Sequence, residues 1–167
     1  MLRRTKAGKN DCAVEIEWKR RRKSMDKIYV VYWSQSGNTQ AMAEAVGKGI
    51  SDAGKEAVVL YVGDAAIDML KDAKSFALGC PAMGAEVLEE GEMEPFVCEV
   101  EAIASGKTIG LFGSYGWGDG QWMRDWVDRM SGCGAKVVNG EGVICQETPD
   151  DAALAECESL GKQLAAV

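Results

Sequence analysis

An α/β fold, a doubly wound parallel sheet of five strands with helices on both faces, is what this chain of 167 residues predicts. Three observations point to it. From Met25 to the end, short apolar strand patterns alternate regularly with helix patterns. The strands read as near-continuous apolar runs, as strands covered on both faces do. Three loops of unusual composition follow the first, third and fourth strands. In such a sheet a ligand binds outside the carboxyl ends of the strands, where the strand order reverses.

Each element has its own signal. Ile28-Tyr29-Val30-Val31-Tyr32-Trp33 has high β propensity and makes the first strand, 27–33. A polar loop, 34–39, leads into a helix over about 39–53. Ala57-Val58-Val59-Leu60-Tyr61-Val62 is the second strand, and a short helical piece near 66–70 precedes the third, 75–79. A long polar segment, 80–91, then a helix over 94–104 follow, and Ser105-Gly106 stop that helix. The fourth strand, 108–112, ends in a glycine-rich loop, 113–120, which opens into a helix at 121–131. Gly132-Cys133-Gly134 end it, 135–138 begins the fifth strand and Val143-Ile144 continue it. Pro149 starts a last helix that runs to Ala165. Crossovers between the parallel strands should be right-handed.

This length fits one domain with a real core and is short for two. Apolar residues make up 47%, and no apolar run reaches the ~20 residues that span a bilayer. Six cysteines (12, 80, 98, 133, 145, 157) show neither a C-x-x-C pair nor zinc spacing, and there is no histidine. No metal site is expected, and the thiols read as buried and reduced, in a cytoplasmic protein. Residues 1–24 carry nine Lys or Arg against three acids, whereas residues 25–167 carry ten against 23. So acidic a body repels nucleic acid and anionic membranes and is steered toward basic protein surfaces. The basic head, 1–24, reads as a solvated, disordered extension, with Met25 as the effective start and 25–167 as the domain. Val14, Ile16 and Trp18 alternate with acids there, but nothing nearby supports a strand.

The three loops carry the chemistry. Ser34-Gln35-Ser36-Gly37-Asn38-Thr39 lies between a strand and a helix start. First-turn N–H groups have no partner inside the helix, and the helix dipole favours an anion there. Gly37 lets the backbone approach, while Ser34, Ser36, Thr39 and Asn38 can donate hydrogen bonds. With no Lys, the loop is not a nucleoside-triphosphate loop; it suits one phosphate held by neutral donors, or an ordinary helix cap. The loop Pro81-Ala82-Met83-Gly84-Ala85-Glu86 offers a polarizable thioether, a peptide free to turn and an acceptor for a ring N–H. Each also has a plain equivalent: a gap-filling Met, a turn Gly, a solvated Glu. Gly113-Ser114-Tyr115-Gly116-Trp117-Gly118-Asp119-Gly120 sets a Trp among glycines, where no neighbours pack it. Against a planar ligand that indole is a stacking wall. Trp33, Trp122 and Trp126 lie on elements and read as core or near-core.

Through these residues the chain closely resembles the flavodoxins of the short-chain clostridial type, from about Lys27 to its end. The resemblance rests on Tyr32-Trp33-Ser34-x-Ser36-Gly37-Asn38-Thr39, on Ala82-Met83-Gly84-x-Glu86-Val87-Leu88-Glu89-Glu90, and above all on Gly113-Ser114-Tyr115-Gly116-Trp117-Gly118-Asp119-Gly120-x-Trp122-Met123-Arg124-Asp125. It implies strand order 2-1-3-4-5 and non-covalent FMN at the switch point, an arrangement for which the family is itself a standard example. The phosphate would lie on Ser34, Ser36, Gly37, Asn38 and Thr39, with Gln35 beside it. The ring would lie between Met83 and Trp117, with Gly84 and Glu86 near its nitrogens and Gly118 at the pyrimidine end. Ala82, Ala85, Ser114, Tyr115, Gly116 and Asp119 complete the implied cofactor-binding set, and no residue is catalytic. In the family, reduction to the neutral semiquinone turns the peptide after the Met, here Met83–Gly84, so that its carbonyl accepts from flavin N5–H. The clostridial pattern carries Asp after this Gly, where this chain has Ala85.

The implied function is low-potential one-electron transfer between semiquinone and hydroquinone, by a monomer serving a flavodoxin reductase or other low-potential oxidoreductases. One carboxylate ~10 Å from an anionic reduced ring opposes it by roughly 1.7 kcal/mol at an effective dielectric near 20, on the order of 70 mV before salt screening. Glu86, Glu89, Glu90 and Asp119 are the acids expected to act this way. The alternative is an FMN-dependent NAD(P)H:quinone-type reductase on the same fold, which needs a second substrate site and added loops. The flavoprotein that helps activate ribonucleotide reductase is a further option. A phospho-receiver module, which needs an acidic pair after strand one and an Asp ending strand three, meets Trp33-Ser34 and Gly79-Cys80 instead.

Overall fold

The computed structural model describes residues 9–167. Strand β1 (Lys27–Tyr32) pairs in parallel with β2 (Glu56–Tyr61) on one side and β3 (Ser75–Gly79) on the other. Strand β4 (Thr108–Tyr115) continues the sheet beyond β3, and its far edge takes first β5 (Lys136–Val137) and then β6 (Val143–Gln146). The order β2-β1-β3-β4-β5 is the expected 2-1-3-4-5. Its fifth place is shared by two short segments, because a turn over Val138–Gly140, with Asn139 at φ 60°, interrupts the strand.

Side chains alternate across each strand and fill a separate core on each face of the sheet. Phe76, Leu78, Ile109 and Leu111 pack with Val97, Val100, Trp122, Trp126 and Met130 from helices α4 (Met93–Glu101) and α5 (Gln121–Gly132). Val30, Ala77 and Phe112 face the other way, under α2 (Asn38–Asp52) and α6 (Asp151–Ala165), meeting Met42, Val46, Ile50, Leu160 and Leu164. Helices α2 and α6 touch backbone to backbone. A Cβ on Gly161 would stand 2.1 Å from the Val46 carbonyl oxygen, and one on Gly49 2.0 Å from that of Glu158. That contact holds the start of α2 firmly over the carboxyl end of the sheet.

Several boundaries differ from those read in the sequence. Strand β4 runs on to Tyr115, through three residues expected in the loop, because Gly113, Ser114 and Tyr115 pair with Ile144, Cys145 and Gln146 of β6. The last helix begins after Pro149, at Asp151, with Asp150 as its cap: the Asp150 carboxylate accepts from Ala153 N–H at 2.8 Å. The short helix α3 is Asp68–Lys71. The basic head departs most. Helix α1 (Lys9–Met25) occupies 9–24, where disorder was expected; the remainder of that expectation, 1–8, lies outside the described residues. Straight-chain Lys, Arg and Glu are good helix formers, and Glu15 and Lys19 pair at 3.2 Å one turn apart. Val14, Ile16 and Trp18 are exposed on this helix and join no sheet. Among the described residues no helix is long and apolar enough to cross a membrane, and no group of His, Cys, Asp or Glu could hold a metal ion.

Candidate functional site

At the carboxyl ends of β1, β3 and β4 the three loops meet around a cleft of about 200 Å³. It is lined by Ser34, Gln35, Ser36, Asn38, Thr39, Ala82, Met83, Ser114, Tyr115 and Gly116, all expected from the sequence, and by Pro81 and Glu147, which were not. Another cleft, of about 260 Å³, opens at the amino end of the strands, where Trp18 of α1 leans toward Lys27, Lys55, Lys74 and Val167. It touches none of the three loops.

The first loop is shaped by its own serine. Ser34 Oγ accepts from Gly37 N–H at 3.1 Å and from Gln40 N–H at 3.3 Å, which folds the loop over the helix start. Gly37 is the residue before α2 and adopts φ 91°, with no side-chain cap, so neither Ser36 nor Asn38 serves as an ordinary N-cap. No acid stands in the first turn of α2, so the positive end of its dipole is left for a ligand. Thr39 and Ser114 are buried, their hydroxyl oxygens 3.4 Å apart, and tie the helix start to the end of β4. Among the described residues no Lys or Arg lines the cleft. Its donors are neutral hydroxyls and amides, which suits a phosphate ester carried on a polyol. The residues present fit the phosphate and polyol chain of FMN.

The second loop is a tight hairpin. Met83 and Val87 exchange both backbone hydrogen bonds, at 2.8 and 2.9 Å, and Gly84 (φ 47°) and Glu86 (φ 56°) make the turn between them. The turn is joined to the third loop: Glu86 Oε1 accepts from Asp119 N–H at 3.3 Å. Gly118 (φ 86°) must be glycine for that contact, since its Cβ would fall 2.0 Å from the same oxygen. Trp117 stands beside this junction, 65% exposed, a large indole left to solvent. Trp117, Gly118 and Asp119, like Gly84, Ala85 and Glu86, lie outside the lining of the cleft itself and form its rim. An apolar thioether, an exposed indole and a turn rich in acceptors make a seat for a flat heteroaromatic ring.

Carboxylates near the rim have specific partners. Glu89 accepts from Gly91, Glu92 and Met93 N–H at 2.7, 2.8 and 3.0 Å and so caps α4. Burial alone would raise its pKa; those backbone bonds outweigh burial and hold it below the usual carboxylate range. Glu92 accepts from Trp33 Nε1–H at 3.2 Å and from the Tyr61 hydroxyl. That bond to Glu92, with burial and nearby charge adding to it, pushes Tyr61 up to about 12. Asp119 is paired with Arg124. Of the acids expected to oppose the reduced ring, Glu89 is thus a charged helix cap, and Asp119 has its charge offset by a cation. The reading of the thiols as buried is corrected. Only Cys80 and Cys157 are buried, each pushed up to about 12 by burial, while Cys12 and Cys98 are exposed.

Glu147 had no signal in the sequence. It reaches the cleft because β6 runs beside β4 and ends at its rim, where Glu147 N–H donates to the Tyr115 carbonyl at 2.8 Å.

Comparison with known proteins gives the family and the fold. The family profile described as Flavodoxin matches residues 30–161. The chain is 50% identical over 136 residues to a flavodoxin of Clostridium beijerinckii, covering 81% of this chain and 97% of that one. It is 41% identical over 138 residues to a flavodoxin of Megasphaera elsdenii, covering 83% and 98%. The solution structure of the two-electron reduced Megasphaera elsdenii flavodoxin superposes with a TM-score of 0.75 at 39% identity, over 84% of this chain and 99% of that one.

Proposed function

Since this chain belongs to the flavodoxin family, and is by that membership an FMN-binding electron carrier rather than an enzyme with its own turnover, we propose that the three loops form its cofactor seat. The observation that carries the reading is their convergence: a donor-rich, cation-free cleft at the start of α2 continues directly into a rim bearing Met83 and exposed Trp117. Bound FMN supplies the one-electron chemistry, and the chain binds it, orients it and sets the charge around it. Ser34, Ser36, Asn38, Thr39 and the backbone at Gly37 would hold the phosphate. Met83 and Trp117 would cover the ring, with Gly84, Glu86 and Gly118 along its nitrogen-bearing edge. The carrier works between its two more reduced states. The flavodoxin relatives leave the reductase alternative unsupported.

The partner we infer is a basic-surfaced redox protein, such as a flavodoxin reductase or another low-potential oxidoreductase, met by a monomer in a reducing cytoplasm. The 23 acids against ten bases in residues 25–167 support it. Residues 25–167 act as the FMN-binding domain, with 1–24 as an appendage. A visible spectrum of purified protein, oxidised and then half-reduced without oxygen, tests the proposal. Bound yellow flavin that passes through a stabilised one-electron state is expected. A folded protein that stays colourless and takes up no FMN refutes it.

A further inference from the structure

Beside the rim stands a cation that the reading above leaves unused. Arg124 stands in the first turn of α5, where a positive charge opposes the helix dipole and gains nothing locally. Its guanidinium nevertheless makes three hydrogen bonds. Nη1–H donates to the Asp119 carbonyl at 2.9 Å, and Nη2–H donates to Asp119 Oδ1 at 2.9 Å and to Gln121 Oε1 at 2.8 Å. Asp119 follows Trp117 by two residues, and its own N–H is held by Glu86 across the rim. Arg124 thus grips the loop that carries the indole wall and places a positive charge against an acid two residues from it in the chain.

We propose that Arg124 is a positioning residue that sets the charge at the cofactor ring by cancelling Asp119, so that the pair reaches the flavin as nearly neutral. This rests on the FMN seat proposed above. Reduction adds negative charge to the ring, so a residue that unbalances the pair must change how readily the second electron is accepted. Both side chains are more than half exposed, so salt screens the effect.

The experiment compares wild type, R124Q, D119N and the double variant R124Q/D119N as FMN-loaded holoproteins, titrated anaerobically at low and high ionic strength. Losing Arg124 uncovers an anion and should make the second electron about threefold harder to add, ~28 mV at ~59 mV per decade. Losing Asp119 uncovers a cation and should shift the step about as far the other way. The double variant should return close to wild type, and the shifts should shrink in high salt. Single variants that move the potential in the same direction, or not at all, overturn the proposal, because a purely structural clasp is broken equally from either side. A second arm needs no flavin. Iodide quenching of tryptophan fluorescence in the apoproteins should rise in D119N and fall in R124Q, and equal quenching in both also overturns the proposal. Wild type that binds no FMN counts against the cofactor reading alone.

Discussion

Replacing Gly118 by alanine tests the joint between the two ring-bearing loops. The backbone at φ 86° is a left-handed conformation that costs an L-residue roughly 1–2 kcal/mol. The new methyl would also lie 2.0 Å from Glu86 Oε1 and 2.6 Å from its Cδ, so the carboxylate must swing away. It then loses the 3.3 Å bond from Asp119 N–H, worth about 1 kcal/mol after allowance for solvent at this exposed site. The apoprotein should lose about 2–3 kcal/mol in all. FMN should bind at least ~10-fold more weakly, about 1.4 kcal/mol, because Glu86 is displaced along the edge of the ring seat. Gly54→Ala is the control: it carries the same backbone cost at φ 88° with nothing within 4 Å, far from the loops. Urea unfolding of the apoproteins gives the first quantity and quenching of flavin fluorescence the second. If G118A binds FMN as tightly as wild type, or if G54A weakens FMN equally, the joint has no role in the cofactor seat.

Three further outcomes follow from the same geometry. Trp117→Ala should leave apoprotein stability within ~0.5 kcal/mol, since a side chain this exposed adds little to packing, yet weaken FMN binding more than ~10-fold through the lost stacking wall. Ser34→Ala should release the Gly37 and Gln40 N–H groups from their shared acceptor, weakening FMN by about 1 kcal/mol while riboflavin, which lacks the phosphate, binds as before. Tyr61, pushed up to about 12, should contribute stability that is intact below its unfolded value near 10 and lost as pH rises through 12. In Glu92→Gln its tyrosinate absorbance should appear at lower pH, and an unchanged titration would show that Glu92 is not the cause.

The sheet was legible because its strands are short apolar runs separated by clear stops. The two trio loops around Ser34 and Trp117 stood out because hydroxyls and glycines with an aromatic fit no core. What escaped was whatever depends on contacts between distant segments. Gly113, Ser114 and Tyr115 look like loop residues until β6 is seen to extend the sheet beside them. Glu147 lies over a hundred positions from the loop around Ser34 with which it shares a cleft, and only the β4–β6 pairing brings it there. The helix over 9–25 escaped for the opposite reason. Its composition satisfies helix propensity but makes no amphipathic stripe, and periodicity finds only helices that bury a face.

Charge is where the structure changes the physical account most. The sequence predicts four acids near the ring, opposing an anionic reduced flavin together. In the folded chain Asp119 faces a guanidinium, whereas Glu89 and Glu86 accept from neutral backbone N–H groups, which orient a carboxylate but do not cancel its charge. Glu90 is an exposed carboxylate. The charge that opposes reduction therefore comes from Glu86, Glu89 and Glu90 together with the summed field of an acidic body, which carries 23 acids against ten bases. The two sources differ in range. Charges close to the ring are screened less by salt than a diffuse field, which is largely screened beyond a Debye length of about 8–10 Å at physiological ionic strength. The same field that opposes reduction also draws basic partners in, so both properties should weaken together as salt rises.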